Sequence, residues 1–131
     1  PQDLLDQSER VYNFQKIFAI RMGRVGRLHD YPPYRAMGPV TVTEYESRAE
    51  LYDTQLRDVI GIDPENLGVE AKMAHLRIYR EDQYEGLLDA VYKRRGWDMD
   101  SIPTVEKMQS LGMDLPEVLE VITWAKGQVN K

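Results

Sequence analysis

Very few side chains in this sequence could perform chemistry. Histidine occurs twice, at His29 and His75. The two lie far apart, with no carboxylate at ligand spacing, so they make a poor metal pair. Cysteine is absent, which excludes disulfides and any thiolate-held zinc or iron–sulfur cluster within these residues. No nucleophile elbow, phosphate loop or dinucleotide fingerprint is present. Gly23-Arg24-Val25-Gly26 formally fits the Gly-x-x-Gly clamp of RNA-binding KH modules. That module needs a β-sheet, which this sequence does not offer, and a helix stop accounts for the same glycines. What remains is Arg21, Asp30, Tyr34 and Arg35. They combine charge or a phenol with irregular backbone, and loops carry function more often than packed helices do. The competing role for them is salt bridging that pins the loop onto helical neighbours.

The elements that must position these residues read as helices with well-marked breakers. A first helix is predicted from Asp3 to Met22, with Leu4, Val11, Phe14, Phe18 and Met22 on its core side and Leu5, Tyr12 and Ala19 widening the stripe. Gly23 and Gly26 end it. The segment Gly23–Pro39 is irregular, because Pro32-Pro33 and Gly38-Pro39 bar continuous helix. A second helix begins at Thr43, with Glu46 completing a capping box, or at Thr41 with Glu44. Its buried face is Tyr45, Tyr52, Leu56, Val59 and Ile60, and Gly61 closes it. A long third helix spans Val69–Arg95, carrying Val69, Met73, Leu76, Tyr84, Leu87 and Val91. Gly86 within it implies a close packing contact. Thr104 caps a short helix ending at Leu111-Gly112. Asp114 caps the last, with Pro116 in its first turn and Glu117 completing a box. Leu115, Val118, Leu119, Ile122, Ala125 and Val129 face inwards there. The expectation is an all-α fold, an irregular bundle of about five helices with a Pro/Gly-rich loop after the first, forming one domain over residues 1–131.

Bulk properties narrow the function further. The chain has 131 residues and a net charge of −5, enough for one domain with a core. No apolar run reaches the length of a membrane span. Residues 21–35 hold four arginines against one aspartate, whereas residues 41–85 hold eleven acidic and five basic residues. The acidic total disfavours nucleic-acid binding, which rests on phosphate neutralisation. The start at Pro1 suggests a processed chain or an excised fragment, and a cytoplasmic location is expected.

The end of the third helix has its own physical logic. Gly96 can take positive φ and close a Schellman turn. Trp97 then packs back on Tyr92 or Val91, and Arg94 and Arg95 meet the negative end of the helix dipole.

These residues also carry a resemblance. Tyr92-Lys93-Arg94-Arg95-Gly96-Trp97-Asp98, followed by Pro103-Thr104, resembles the C-terminal signature of the tungsten-containing aldehyde ferredoxin oxidoreductases. Glu9-Arg10-Val11-Tyr12-Asn13-Phe14 through Phe18 and Arg21 is similar to a helix of that family, and Asp30-Tyr31-Pro32-Pro33-Tyr34-Arg35 to its Asp-x-Leu-Pro-x-Arg segment. Three blocks in order cover roughly half the chain. The family pattern has Gly where this chain has Ser101, so Asp100 is expected to take the left-handed conformation instead. Between Ala36 and Tyr84 the likeness lapses into an acidic helical insert, about residues 41–85. That insert and the Arg-Arg-Gly-Trp-Asp wording look like class II benzoyl-CoA reductase active-site subunits.

The resemblance implies a C-terminal scaffold of an oxidoreductase acting on aldehydes or carboxylic-acid derivatives. The parent enzyme would carry a tungsten-bis-pyranopterin and a [4Fe–4S] cluster. No cofactor, metal ligand or catalytic residue is assigned to this piece, and the isolated chain is expected to be inactive. Tyr92, Arg95, Gly96, Trp97, Asp98, Pro103 and Thr104 form the structural motif. Arg21, Asp30, Tyr34 and Arg35 are the candidates for facing a cofactor or substrate channel. Expected partners are the remaining domains of the parent enzyme, an electron-transfer subunit or ferredoxin docked on the acidic insert, and a second copy of the chain. The alternative is a stand-alone helical interaction module whose acidic segment meets a basic partner.

Overall fold

Helix dominates the computed structural model, which describes residues 1–131, and no sheet forms. The six α-helices are α1 Gln2–Arg21, α2 Val42–Glu46, α3 Ala49–Gln55, α4 Val69–Arg95, α5 Val105–Ser110 and α6 Pro116–Val129. Short 3-10 turns occupy Arg27–Asp30, Tyr34–Met37 and Pro64–Asn66, and a π-turn spans Leu56–Ile60. The chain divides into two compact units, residues 1–31 with 88–131, and residues 32–87. Helix α4 supplies its residues 69–87 to the second and 88–95 to the first.

The first unit is built on α1, α5 and α6. Its core joins Ile17 and Ile20 of α1 to Met108, Leu111, Val121, Ile122 and Ala125, with Ile102 fully buried among them. The inner face of α1 is therefore Asn13, Ile17 and Ile20. This corrects the expected face. Leu4, Val11, Phe14, Phe18 and Met22 are all exposed. The helix has two apolar stripes, and periodicity reported the stronger one rather than the one α6 covers. Val121 is buried in α6 while Leu115 is exposed, another departure from the expected set.

In the second unit Tyr45, Tyr52, Leu56 and Leu76 form the core, with Met73, Val69 and Ile60 against it. The second helix starts at Thr41, whose Oγ1 accepts from Glu44 N at 3.2 Å. Glu44 Oε2 accepts in turn from Val40 N at 3.1 Å. The helix does not run on to Gly61 as one piece. It breaks after Glu46 and again into the π-turn, whose Ile62 N reaches Leu56 O at 2.9 Å. That extra residue per turn leaves Val59 exposed. Leu87 is exposed as well, and Leu88, in the first unit, is buried instead. Gly86 has no close neighbour where a Cβ would stand, so no packing contact explains it. The unit carries the chain's entire net charge. Residues 32–87 hold eleven acidic and six basic side chains, whereas the other unit holds eleven of each.

Candidate functional site

Helix α4 ends as its sequence dictates. Gly96 has φ +69°, Trp97 N donates to Tyr92 O at 2.9 Å and Gly96 N to Lys93 O at 3.3 Å. This is the Schellman pair that satisfies the last carbonyls. The chain then turns back. Asp98 N donates to Ile102 O at 2.8 Å, and Asp98 Oδ1 accepts from the backbone N–H groups of Asp100 and Ile102, both at 3.0 Å. Trp97 and Pro103 form an isolated antiparallel bridge. Thr104 caps α5 through Lys107 N at 3.2 Å while its hydroxyl donates to Gly96 O at 2.8 Å. Pro116 opens α6 with Leu115 at the N-cap, and no side chain caps that start, so Asp114 does not serve there.

Ser101 rather than Asp100 takes the left-handed conformation, with φ +64°. It is fully buried, and its hydroxyl donates to Asp30 Oδ2. A bond to a carboxylate offsets the strain of a side chain in that region.

Asp30 is the hub of the first unit. Its carboxylate accepts from Tyr92 Oη at 2.6 Å, from Lys16 Nζ at 3.2 Å and from Ser101. Burial pushes the carboxyl pKa up, but hydrogen bonds from Ser101 and Tyr92 and the Lys16 charge outweigh it and hold it below the usual value. The Tyr92 phenol is shifted strongly upward by burial and by its bond to Asp30. Arg27 pairs with Asp89 at 2.7 Å and lies 5.2 Å from the Tyr92 ring centroid.

Trp97 connects this hub to α1. Its ring lies between Tyr12 and Tyr92, at centroid distances of 5.9 and 6.0 Å. Its Nε1 donates to Asn13 Oδ1 at 2.8 Å, and Lys16 Nζ stands 4.9 Å from the ring centroid. Arg95 stacks on Tyr12 at 3.5 Å, Arg10 Nε donates to Leu111 O at 2.8 Å, and Lys107 pairs with Glu9. Asn13, Lys16 and the Ser101 bond were not singled out by sequence. The signal available for Asn13 was its place inside the Glu9–Phe14 block.

The second unit holds a different arrangement. A groove of about 330 Å³ is lined by Tyr34, Val40, Val42, Glu70, Met73 and Arg77, among others. The Arg77 guanidinium lies 3.5 Å from the Tyr34 ring centroid and donates through Nη1 to Tyr34 O at 2.8 Å. Its Nη2 is buried without a hydrogen-bond partner. In the same unit, Asp53 accepts from Tyr45 Oη at 2.5 Å and Lys72 Nζ at 3.0 Å. The Tyr45 bond, followed by Lys72, holds the Asp53 carboxyl low against the opposing effect of burial.

The four loop residues are thus placed as follows. Arg21 is exposed in the last turn of α1, and Asp30 is the hub of the first unit. Tyr34 covers Arg77, and Arg35 is exposed with a 3.5 Å contact to Glu44. The hydroxyls that donate to these carboxylates, Ser101 and Tyr92 on Asp30 and Tyr45 on Asp53, are all buried within the fold. No group of three His, Asp or Glu side chains is placed to hold a metal. With no thiolate in the chain, an iron–sulfur cluster does not fit the donors present here. No helix is long and apolar enough to cross a membrane.

Comparison with known proteins yields one family model, described as aldehyde ferredoxin oxidoreductase, domains 2 & 3, which matches residues 1–113. No curated protein and no solved structure matches the chain.

Proposed function

The chain belongs to the aldehyde ferredoxin oxidoreductase family, and from that premise we propose that it is a C-terminal scaffold of such an enzyme with no catalysis of its own. The observation that carries this reading is the inward commitment of the signature residues. Tyr92, Trp97, Asp98 and Thr104 all spend their polar atoms within the fold, and Arg95 lies against Tyr12. Groups engaged in this way fix helix ends and are poorly placed to meet a reacting atom. The family's iron–sulfur cluster needs thiolates that this chain does not contain, so we place it, together with the tungsten-pterin, in other segments of the parent enzyme.

In this reading the partners are the remaining domains of the parent, which acts on aldehydes or carboxylic-acid derivatives. Arg21 and Asp30 in the first unit, and Tyr34 and Arg35 in the second, are each proposed to face its cofactor or substrate channel, Asp30 by holding its loop in place rather than by contact. A second reading within the family, aromatic acyl-CoA reduction, is favoured by the separate acidic unit at residues 32–87. That unit would dock the electron-transfer subunit, and pull-down with and without it tests the assignment.

The scaffold role is tested in the whole parent enzyme with Trp97→Ala. The expected result is lower thermal stability and lower tungsten and iron content, with turnover per tungsten and cluster potential unchanged. Loss of turnover at full metal loading would show that the signature takes part in the chemistry and overturn the reading.

A further inference from the structure

We propose that the groove of the second unit docks the C-terminal end of a partner protein, taking its terminal carboxylate at Arg77 and a basic side chain two residues earlier at Glu70. The inference rests on residues 32–87 and does not depend on the enzymatic reading. The first observation is an unused donor. Arg77 lines the groove, and its side chain is only 14% exposed. Its Nη1 donates to Tyr34 O at 2.8 Å and stands 3.9 Å from Glu81, while Nη2 is buried with no acceptor. A buried cationic donor left unbonded is costly, and buried polar groups normally find partners. An anionic oxygen suits it best, because a charge-assisted bond is about twice as strong as a neutral one.

The second observation selects the occupant and its direction. Glu70 lines the same groove from α4, exposed and without an ion pair. It stands nearly two turns before Arg77, so the two opposite charges share one face about 10 Å apart along the axis. Between them the lining is apolar, with Met73 and Ala74 on α4 and Val40 and Val42 around the start of α2. An extended chain rises about 3.3 Å per residue and points alternate side chains the same way. A terminal carboxylate and a lysine or arginine two residues earlier therefore span the two charges once the long basic side chain is added. The last side chain lies on the same face and meets the apolar lining. The chain must end at Arg77, because the Tyr34 ring centroid lies 3.5 Å from the guanidinium and bars a continuing backbone. Tyr34 is 65% exposed, so its ring is free to shift far enough to admit a carboxylate.

The dimensions agree. The groove holds about 330 Å³, at the small end for ligand sites. That volume suits one apolar side chain with a carboxylate, rather than a whole helix about 10 Å across.

The test is a titration of the 131-residue chain with the peptide acetyl-Lys-Ala-Val as its free acid, followed by amide chemical shifts. Binding is expected with a dissociation constant of roughly 1 mM, and with the shifts centred on Val42 and Ala74. Amidating the peptide's C-terminus should weaken binding about tenfold, and Arg77→Gln should erase the difference between acid and amide. Acetyl-Glu-Ala-Val should bind about fivefold more weakly than the lysine peptide, and Glu70→Lys should reverse that order. Arg77 is largely buried and its replacement can disturb α4, so Ala74→Trp serves as a second variant. Ala74 is exposed, and an indole there should fill the groove and abolish binding, with helicity retained by circular dichroism. No shifts up to about 20 mM peptide, far above the expected constant, would overturn the proposal. Binding untouched by Ala74→Trp would do so too, by placing the peptide elsewhere. An amide that binds as well as the acid would refute capture of a chain end. A peptide preference that Glu70→Lys leaves unchanged would refute the assigned direction.

Discussion

Replacing Gly96 by alanine separates two costs that are usually measured together, because the chain contains its own control. Gly96 and Gly112 both close helices with nearly equal backbone angles, φ +69° and +64°. At Gly112 a Cβ would meet nothing within 4 Å, whereas at Gly96 it would meet Lys107 Cδ at 2.9 Å and its Cβ and Cγ at 3.0 Å. Gly112→Ala should therefore show only the left-handed backbone cost, about 1–2 kcal/mol. Gly96→Ala should show that cost plus overpacking of about 1–3 kcal/mol. The second cost is not avoidable by a rotamer change, since Lys107 Cβ is fixed to α5. Thermal unfolding followed by fluorescence is a suitable assay, because Trp97 and Trp124 both lie in the first unit. At about 3–5 °C per kcal/mol for a chain of this size, the two midpoints should differ by roughly 3–15 °C. Lys107→Ala removes Cγ and Cδ but keeps Cβ, so the double mutant with Gly96→Ala should recover part of the excess in a mutant cycle. Equal costs at Gly96 and Gly112, or a cycle with no coupling to Lys107, would refute the argument that the signature glycine is needed for space as well as for φ.

Ser101→Ala keeps the left-handed strain and loses the bond to Asp30, so it should cost about 1–3 kcal/mol by denaturant unfolding. Ser101→Gly relieves the strain while losing the same bond, and should fall close to wild type. Asp30, held below the usual carboxylate pKa, contributes stability that is present above the unfolded value and lost as pH falls through the folded one. Urea midpoints should accordingly drop below about pH 4, and Asp30→Asn should flatten that acid limb. Trp97→Phe keeps an aromatic side chain but removes the indole N–H, leaves the buried Asn13 Oδ1 without its donor, and should cost at least about 1–3 kcal/mol in chemical denaturation. Gly86→Ala lies within α4 with open space around it, so about 1 kcal/mol of stabilisation is expected, read from the thermal midpoint.

Much of the fold was legible because its punctuation is local. Gly96 and Gly112 sit where helices end, and Thr104 and Pro116 sit where they begin. Each acts on groups within a few residues, so spacing alone exposes it. Helix α4 spans Val69–Arg95 as its sequence predicts. The site was less legible. Sequence pointed to Asp30 but not to its partners, because Lys16, Tyr92 and Ser101 come from distant segments. Ser101 illustrates the limit. Its hydroxyl compensates a left-handed backbone only once Asp30 is brought within reach, and nothing next to it in the chain announces that.

The sequence by itself determined the bounds of α1 and α4 to within a residue or so, the starts of α5 and α6, the absence of thiol ligands, and the signature of the family, but not the breaks within the predicted second helix. Tertiary structure decided which face of α1 lies inside. Hydrophobic periodicity reports that a face is apolar but carries no information on what covers it. Leu4, Val11, Phe14, Phe18 and Met22 stay outside because α6 meets the opposite side, through Ile17 and Ile20. Asn13, polar and unremarkable in a helix, is buried because the indole N–H of Trp97 arrives from the far end of α4 to satisfy it.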